Sequence, residues 1–151
     1  MLAQAIDEAV DFAKLDPADY AAEWKWDGIR VQAVNEAGVR RLYSRTGDDI
    51  AKAFPDVVEA LDFEGAIDGE LLVLRDGAVG AFGDLQQRLN RKTADAKIMA
   101  AHPAGIRAYD LLVDGTEDLR ALPFAERRRR LEAFVARIAN PRIDLSPLAP
   151  F

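Results

Sequence analysis

Glycine-ended turns cut this chain into short extended pieces, and that punctuation constrains its fold more than any other feature. Asp27-Gly28, Asn35-Glu36-Ala37-Gly38, Arg75-Asp76-Gly77 and Asp114-Gly115 each bound an apolar run too short for a long helix. Glycine reaches the positive φ that a tight hairpin needs, so each reads as a turn between strands. Residues 21–34 read as a strand, a turn at Asp27-Gly28, and a second strand with Ile29, Val31 and Ala33 on one side. Val39–Ser44, Ala66–Leu74, Ala78–Phe82 and Ile106–Val113 read as further strands. Helical spacing appears over residues 3–14, over 49–61 with a break near Pro55, and over Asp84–Asn90 and Thr93–Ala101. It is clearest over Pro123–Ala139, where Phe124, Leu131, Phe134, Val135 and Ile138 form an apolar stripe. The tail from Asn140 holds three prolines and is expected to end without a return strand. Strands joined by turns, with helices unevenly placed, predict an α+β fold of antiparallel sheets flanked by helices rather than a regular βαβ series.

The length, 151 residues, supports one hydrophobic core and makes two full domains improbable. Lys and Arg total 20 against 26 Asp and Glu, a formal net charge of −6. That balance excludes a wholly basic nucleic-acid binder, so any polyanion must meet a local basic patch. The absence of cysteine excludes disulfides, thiolate metal sites and thiol catalysis. One histidine, His102, argues against a multi-histidine metal site and a Ser-His-Asp triad. No apolar run approaches the roughly 20 residues of a membrane helix, and the first residues lack the basic start of a signal peptide. The expectation is a soluble cytoplasmic protein with no membrane partner.

The stretch Glu23-Trp24-Lys25-Trp26-Asp27-Gly28-Ile29-Arg30 carries the most chemistry. Lysine is a nucleophile only as the neutral amine, which burial or neighbouring cations favour. Arg30 can supply such a cation and fork onto a phosphate. Gly28 allows close approach of backbone. Taken alone, the same stretch reads first as a surface hairpin with solvated charges.

Lys25-x-Asp27-Gly28-x-Arg30 resembles motif I of the covalent nucleotidyltransferases, the DNA ligases, RNA ligases and mRNA capping enzymes. Three later segments follow in that superfamily's order. Ser44-Arg45-Thr46-Gly47 resembles motif Ia, Asp68-Gly69-Glu70-Leu71 resembles motif III, and Tyr109-Asp110-Leu111-Leu112 resembles motif IIIa. The wider wording, with Leu85-Gln86-Gln87-Arg88-Leu89-Asn90-Arg91-Lys92, is most similar to bacterial ATP-dependent DNA ligases. The resemblance spans nearly the whole chain. It implies an ATP-grasp-like adenylation domain of a nucleoid-associated enzyme acting in DNA repair, recombination and replication.

Carried over by position, the resemblance assigns Lys25 as the nucleophile that takes AMP from ATP with magnesium. Arg30 would contact phosphate, and Arg45 would lie near the ribose and the nicked-strand phosphate. Glu70 would contact the ribose hydroxyl or help hold the metal. Tyr109 would stack on adenine, and Glu23 would lie in the adenine-contacting segment. AMP would then pass to a DNA 5′-phosphate before the 3′-hydroxyl seals the nick. Nicked double-stranded DNA is the implied partner, together with other ligase domains or repair proteins.

Each residue has a plainer competitor. Glu70 can be a solvated strand residue, Tyr109 a core aromatic, and Arg45 a turn charge. Arg88, Arg91 and Lys92 read either as a DNA-facing patch or as a solvated helix end. Arg127–Arg130 read as the polar side of the last helix, with Glu126 and Arg130 spaced to pair. Trp24 and Trp26 are expected to pack rather than stack on DNA, and His102 to end a helix.

No counterpart of motifs IV, V and VI, or of the OB-fold domain, follows motif IIIa. In the family those segments supply further phosphate-contacting lysines and a metal-binding glutamate. The chain is therefore expected to be the N-terminal portion of an adenylation domain, residues 1–151, with adenylation activity impaired on its own. An RNA ligase or capping-type enzyme, and a non-catalytic nucleotide- or partner-binding module, remain as alternatives.

Overall fold

The computed structural model describes residues 5–149, and they fall into two compact units. The first unit takes in the chain up to Lys25 together with the segment from Pro147. It holds helix α1 (Glu8–Asp11) and strands β1 (Ala22–Glu23) and β9 (Leu148–Ala149). The second unit runs from Trp26 to Ser146 and contains the remaining elements.

In the first unit, Asp7 caps α1 by accepting a hydrogen bond from the Ala9 N–H at 3.0 Å. The helix spans four residues, not the full predicted segment 3–14, of which residues 3 and 4 lie outside the described range. None of its residues is buried, and a helix this short gains little without packing along one face. Strand β1 pairs antiparallel with β9, Ala22 opposite Ala149 and Glu23 opposite Leu148.

The second unit is built on strands β2 (Ile29–Glu36), β3 (Val39–Ser44), β4 (Gly65–Arg75), β5 (Ala78–Val79), β6 (Ala104–Asp114), β7 (Glu117–Asp118) and β8 (Ile143–Leu145). The main path is β3-β2-β4-β6-β7, with β5 on β4 and β8 on β6. The pairings are antiparallel except for β8, which runs parallel to β6. Helices α2 (Pro55–Glu59), α3 (Phe82–Leu89), α4 (Ala96–Ala101) and α5 (Phe124–Ile138) complete it, α2 following a short 3₁₀ turn at Ala51–Ala53.

Strand alternation sorts the side chains to two faces. Val31 and Ala33 of β2, Leu42 of β3, Ile67, Leu71 and Val73 of β4, and Ile106 and Ala108 of β6 are buried. They form one core with Phe54, Val57, Leu61, Leu85, Leu131 and Phe134. Glu36 and Val39 close a two-residue hairpin in which Ala37 and Gly38 have φ of 50° and 82°. Asp76 and Gly77 repeat the arrangement between β4 and β5, with φ of 51° and 80°.

Two expectations are corrected. Asp27-Gly28 does not close a hairpin, because β1 pairs with β9 while β2 pairs with β3 and β4. Gly28 serves close approach instead. A Cβ there would strike the Leu71 carbonyl oxygen and come within 2.7 Å of Leu72 Cδ2. The tail also does return to sheet structure, through β8 and β9. Strands of two and three residues are too short for alternation to reveal them.

Candidate active site

The second unit's sheet carries Arg30, Glu70 and Tyr109 among the residues singled out from the sequence. Register places Arg30 of β2, Glu70 of β4 and Arg107 of β6 in one transverse row, and Asp144 of β8 opposite Arg107. A second row holds Tyr43, Gln32 and Asp68. Asp68 is buried and accepts hydrogen bonds from Arg30 Nη2 at 3.1 Å and Gln32 Nε2 at 3.2 Å. Partial burial pulls the Arg30 guanidinium toward deprotonation. Only in sum do the Asp68 hydrogen bond and the electrostatic influence of Tyr109, Asp68 and Glu70 exceed that largest single effect, so its pKa is raised. Arg30 is therefore a cation anchored by the Asp68 carboxylate.

Tyr109 reaches this group because of a bulge. The β4–β6 register shifts between Asp68 and Gly69, so that Gly69 faces Ala108 while Asp68 faces Asp110. Gly69 is required by closeness, since a Cβ would lie 2.6 Å from Ile106 Cγ2 and 2.8 Å from the Arg107 carbonyl oxygen.

Arg30, Gln32, Tyr43, Ser44, Arg45, Gly47 and Asp68 line an open cleft of about 460 Å³. The turn after β3 places Arg45 there. Ser44 N–H donates to the Asp48 carbonyl at 2.9 Å, and Thr46 Oγ1 donates to Asp48 Oδ2 at 2.6 Å. Gly47 takes φ of 87° at that corner. Two arginines lining a partly enclosed cleft suit a phosphate-bearing ligand.

The fold thus brings Arg30, Glu70 and Tyr109 to one place, and Arg45 lines the same cleft as Arg30. Lys25 and Glu23 belong to the first unit, where Lys25 is exposed and Glu23 is half-buried on β1. Sequence reasoning gave no role to Gln32, Tyr43 or Asp68. The signal was present: Gln32 follows Arg30 by two in a strand, and the hairpin sets Tyr43 beside it.

Other readings change. Arg88 is fully buried and is no DNA-facing residue. Its guanidinium forks onto Asp56 at 2.6 and 3.0 Å, donates to the Ala53 and His102 carbonyls, and lies 4.7 Å from the Phe54 ring centre. Arg127 and Arg128 are buried rather than solvated. Glu126 and Arg130 do pair, at 3.3 Å, and His102 does cap α4. Trp26 packs as expected, whereas Trp24 is 60% exposed. Among the described residues, no helix is long and apolar enough to cross a membrane.

A sequence model of the ATP dependent DNA ligase domain matches residues 1–147. The chain belongs to that family. A probable DNA ligase of Koribacter versatilis is 34% identical over 96% of this chain and 25% of its own length. One from Anaeromyxobacter is 40% identical over 89% of this chain and 27% of its own length. The chain spans roughly a quarter of such curated DNA ligases. The crystal structure of the ligase domain of M. tuberculosis LigD superposes with a TM-score of 0.65 at 30% identity, over 86% of this chain and 40% of that one. A mycobacterial DNA ligase D complexed with ATP and MES gives a TM-score of 0.62 at 30% identity, over the same shares. The DNA ligase fold is therefore the α+β architecture expected from the sequence.

Proposed function

We propose that this chain is the N-terminal portion of an ATP-dependent DNA ligase adenylation domain and that Lys25 is its nucleophile. The observation that carries the reading is the convergence of Arg30, Glu70 and Tyr109, from three separate motifs, beside a cleft that also holds Arg45. The solved relative bound to ATP supports ATP as the substrate.

In the proposed step the neutral Lys25 amine attacks the α-phosphorus of ATP. A P–N bond forms, the P–O bond to pyrophosphate breaks, and the amine gives a proton to solvent. Arg30 and Arg45 neutralise phosphate oxygens, Tyr109 stacks on adenine, Glu23 lies in the adenine-contacting segment, and Glu70 holds the ribose hydroxyl. No group of three or more His, Asp or Glu side chains among the described residues is placed to hold a metal ion. Magnesium is commonly bound by one or two carboxylates plus substrate phosphates, so Glu70 as a single protein ligand fits it. When bound, it would supply charge neutralisation on the phosphates. AMP then passes to the 5′-phosphate of nicked double-stranded DNA, and the 3′-hydroxyl displaces it. The formal net charge of −6 fits a portion of a ligase whose DNA-clamping surfaces partly lie elsewhere.

Incubation with α-labelled ATP and magnesium, followed by denaturing electrophoresis, tests this. The expected result is a covalent label on the wild type that Lys25→Ala abolishes. Label only on a chain extended to the length of the relatives assigns the chemistry to the longer protein and leaves this chain a binding module. No label on either overturns the reading. Nicked DNA against nicked RNA on the labelled protein separates DNA ligase from RNA ligase chemistry.

A further inference from the structure

Trp26 and Ser146 are the first and last residues of the second unit, and they are joined directly. The Trp26 indole N–H donates to Ser146 Oγ at 3.0 Å. Ser146 is 1% exposed, and its own N–H donates to the Ala108 carbonyl of β6 at 2.8 Å. The Arg107 guanidinium lies 4.4 Å from the Trp26 ring centre. Arg107 is held in turn by its cross-strand neighbour Asp144, through Nε at 3.0 Å and Nη2 at 2.7 Å, and donates to the Gly77 carbonyl at 3.1 Å. Its side chain is 9% exposed. A cation held in place by Asp144 and the Gly77 carbonyl, with its guanidinium carbon 4.4 Å from the indole centre, is within the range of a cation–π contact.

Trp26 follows the proposed nucleophile directly in the chain. We propose that Arg107 is a positioning residue for Lys25, clamping Trp26 so that the backbone leaving the nucleophile has one fixed direction. The proposal rests on the lysyl-AMP reading above. Lysine carries four rotatable side-chain bonds, so a drifting backbone would leave its amine rarely in line with the α-phosphorus. Misplacement by about 1 Å can cost roughly a hundredfold in rate. Arg107 also neighbours Glu70 in register, so the clamp is part of the same transverse row as the proposed ribose contact. Neither the cation–π contact nor the indole hydrogen bond is used to bind ATP in the proposed step. Their loss should therefore act on rate and spare nucleotide affinity.

The test is single-turnover adenylation of wild type, Arg107→Met, Arg107→Lys, Asp144→Asn and Ser146→Ala, each first shown folded by circular dichroism. Arg107→Met is expected to slow lysyl-AMP formation roughly ten- to hundredfold with an unchanged KM for ATP. Arg107→Lys, which restores the charge without the fork, should fall between. Ser146→Ala and Asp144→Asn are milder variants that remove one hydrogen bond or one charge, and should slow the step less. In a Trp24→Phe background, which leaves Trp26 as the only tryptophan of the two, indole emission should shift with Arg107→Met. A wild-type rate in folded Arg107→Met overturns the proposal alone, as does a loss expressed wholly in KM. Where only a chain extended to the length of the relatives takes label, the same variants are compared on that chain; no label on either chain overturns the lysyl-AMP reading and this proposal with it.

Discussion

Asp110 receives both arms of the Arg127 guanidinium, Nε at 2.8 Å and Nη2 at 3.0 Å, where α5 packs on β6. Arg127 also donates to the Leu122 carbonyl at 2.6 Å, so the helix is tied to the strand that carries Tyr109. Both side chains are nearly excluded from solvent, at 10% and 7% exposure. Removing one member strands the other as a buried charge, which typically costs about 3–5 kcal/mol. Asp110→Ala is expected to lower the free energy of urea unfolding by that order. Replacing both with apolar residues of similar size should recover most of the loss, because no orphan charge then remains.

Arg88 and its neighbours Arg91 and Lys92 should part company. Arg88→Met leaves Asp56 with only Arg142, which donates to it at 3.1 Å, and is expected to destabilise by roughly 3 kcal/mol. Arg91→Ala and Lys92→Ala, both exposed, should change stability by less than about 0.5 kcal/mol. Thermal melts of the single variants check the contrast.

The β2–β3 hairpin carries a correctable strain. Ala37 sits at φ 50° in a turn whose two central residues both need positive φ. That conformation costs an ordinary L-residue roughly 1 kcal/mol or more, and asparagine less. Ala37→Asn is expected to raise the unfolding free energy by about 0.5–1 kcal/mol. Because the turn fixes the register that sets Tyr43 beside Gln32, the substitution should leave nucleotide binding unchanged.

One carboxylate offers a direct electrostatic check. The Arg120 side chain and backbone N–H both donate to Asp118 and lower its pKa to about 2. A depressed acid stabilises the fold above its ordinary range and loses that contribution as pH falls through its folded value. A ¹³C NMR titration of the Asp118 carboxyl should show a midpoint near 2. In Arg120→Ala the midpoint should return to the ordinary aspartate value of roughly 4.

Much of this was legible in the sequence, for identifiable reasons. Val39–Ser44 is a strand with the predicted bounds, and β2, β4, β6 and α5 lie within a few residues of expectation, because alternation and the helical stripe are local signals. The pairing of β1 with β9, and of β8 with β6, rests on contacts between distant segments that no local pattern encodes. The burial of Arg88 and Arg127 was hidden for the same reason. Their acids lie 32 and 17 residues away, and in a sequence a paired guanidinium looks like a solvated one. Motif wording located Arg30, Arg45, Glu70 and Tyr109, but only the register showed that Gln32, Tyr43 and Asp68 share their face.

The most direct test of the central claim is to map the adduct itself. The protein is incubated with ATP and magnesium, digested, and its lysine-containing peptides weighed by mass spectrometry. The account predicts AMP on the peptide bearing Lys25, acid-labile as a phosphoramidate is, and on none of the peptides bearing Lys14, Lys52, Lys92 or Lys97. AMP on another lysine with Lys25 unmodified would contradict it.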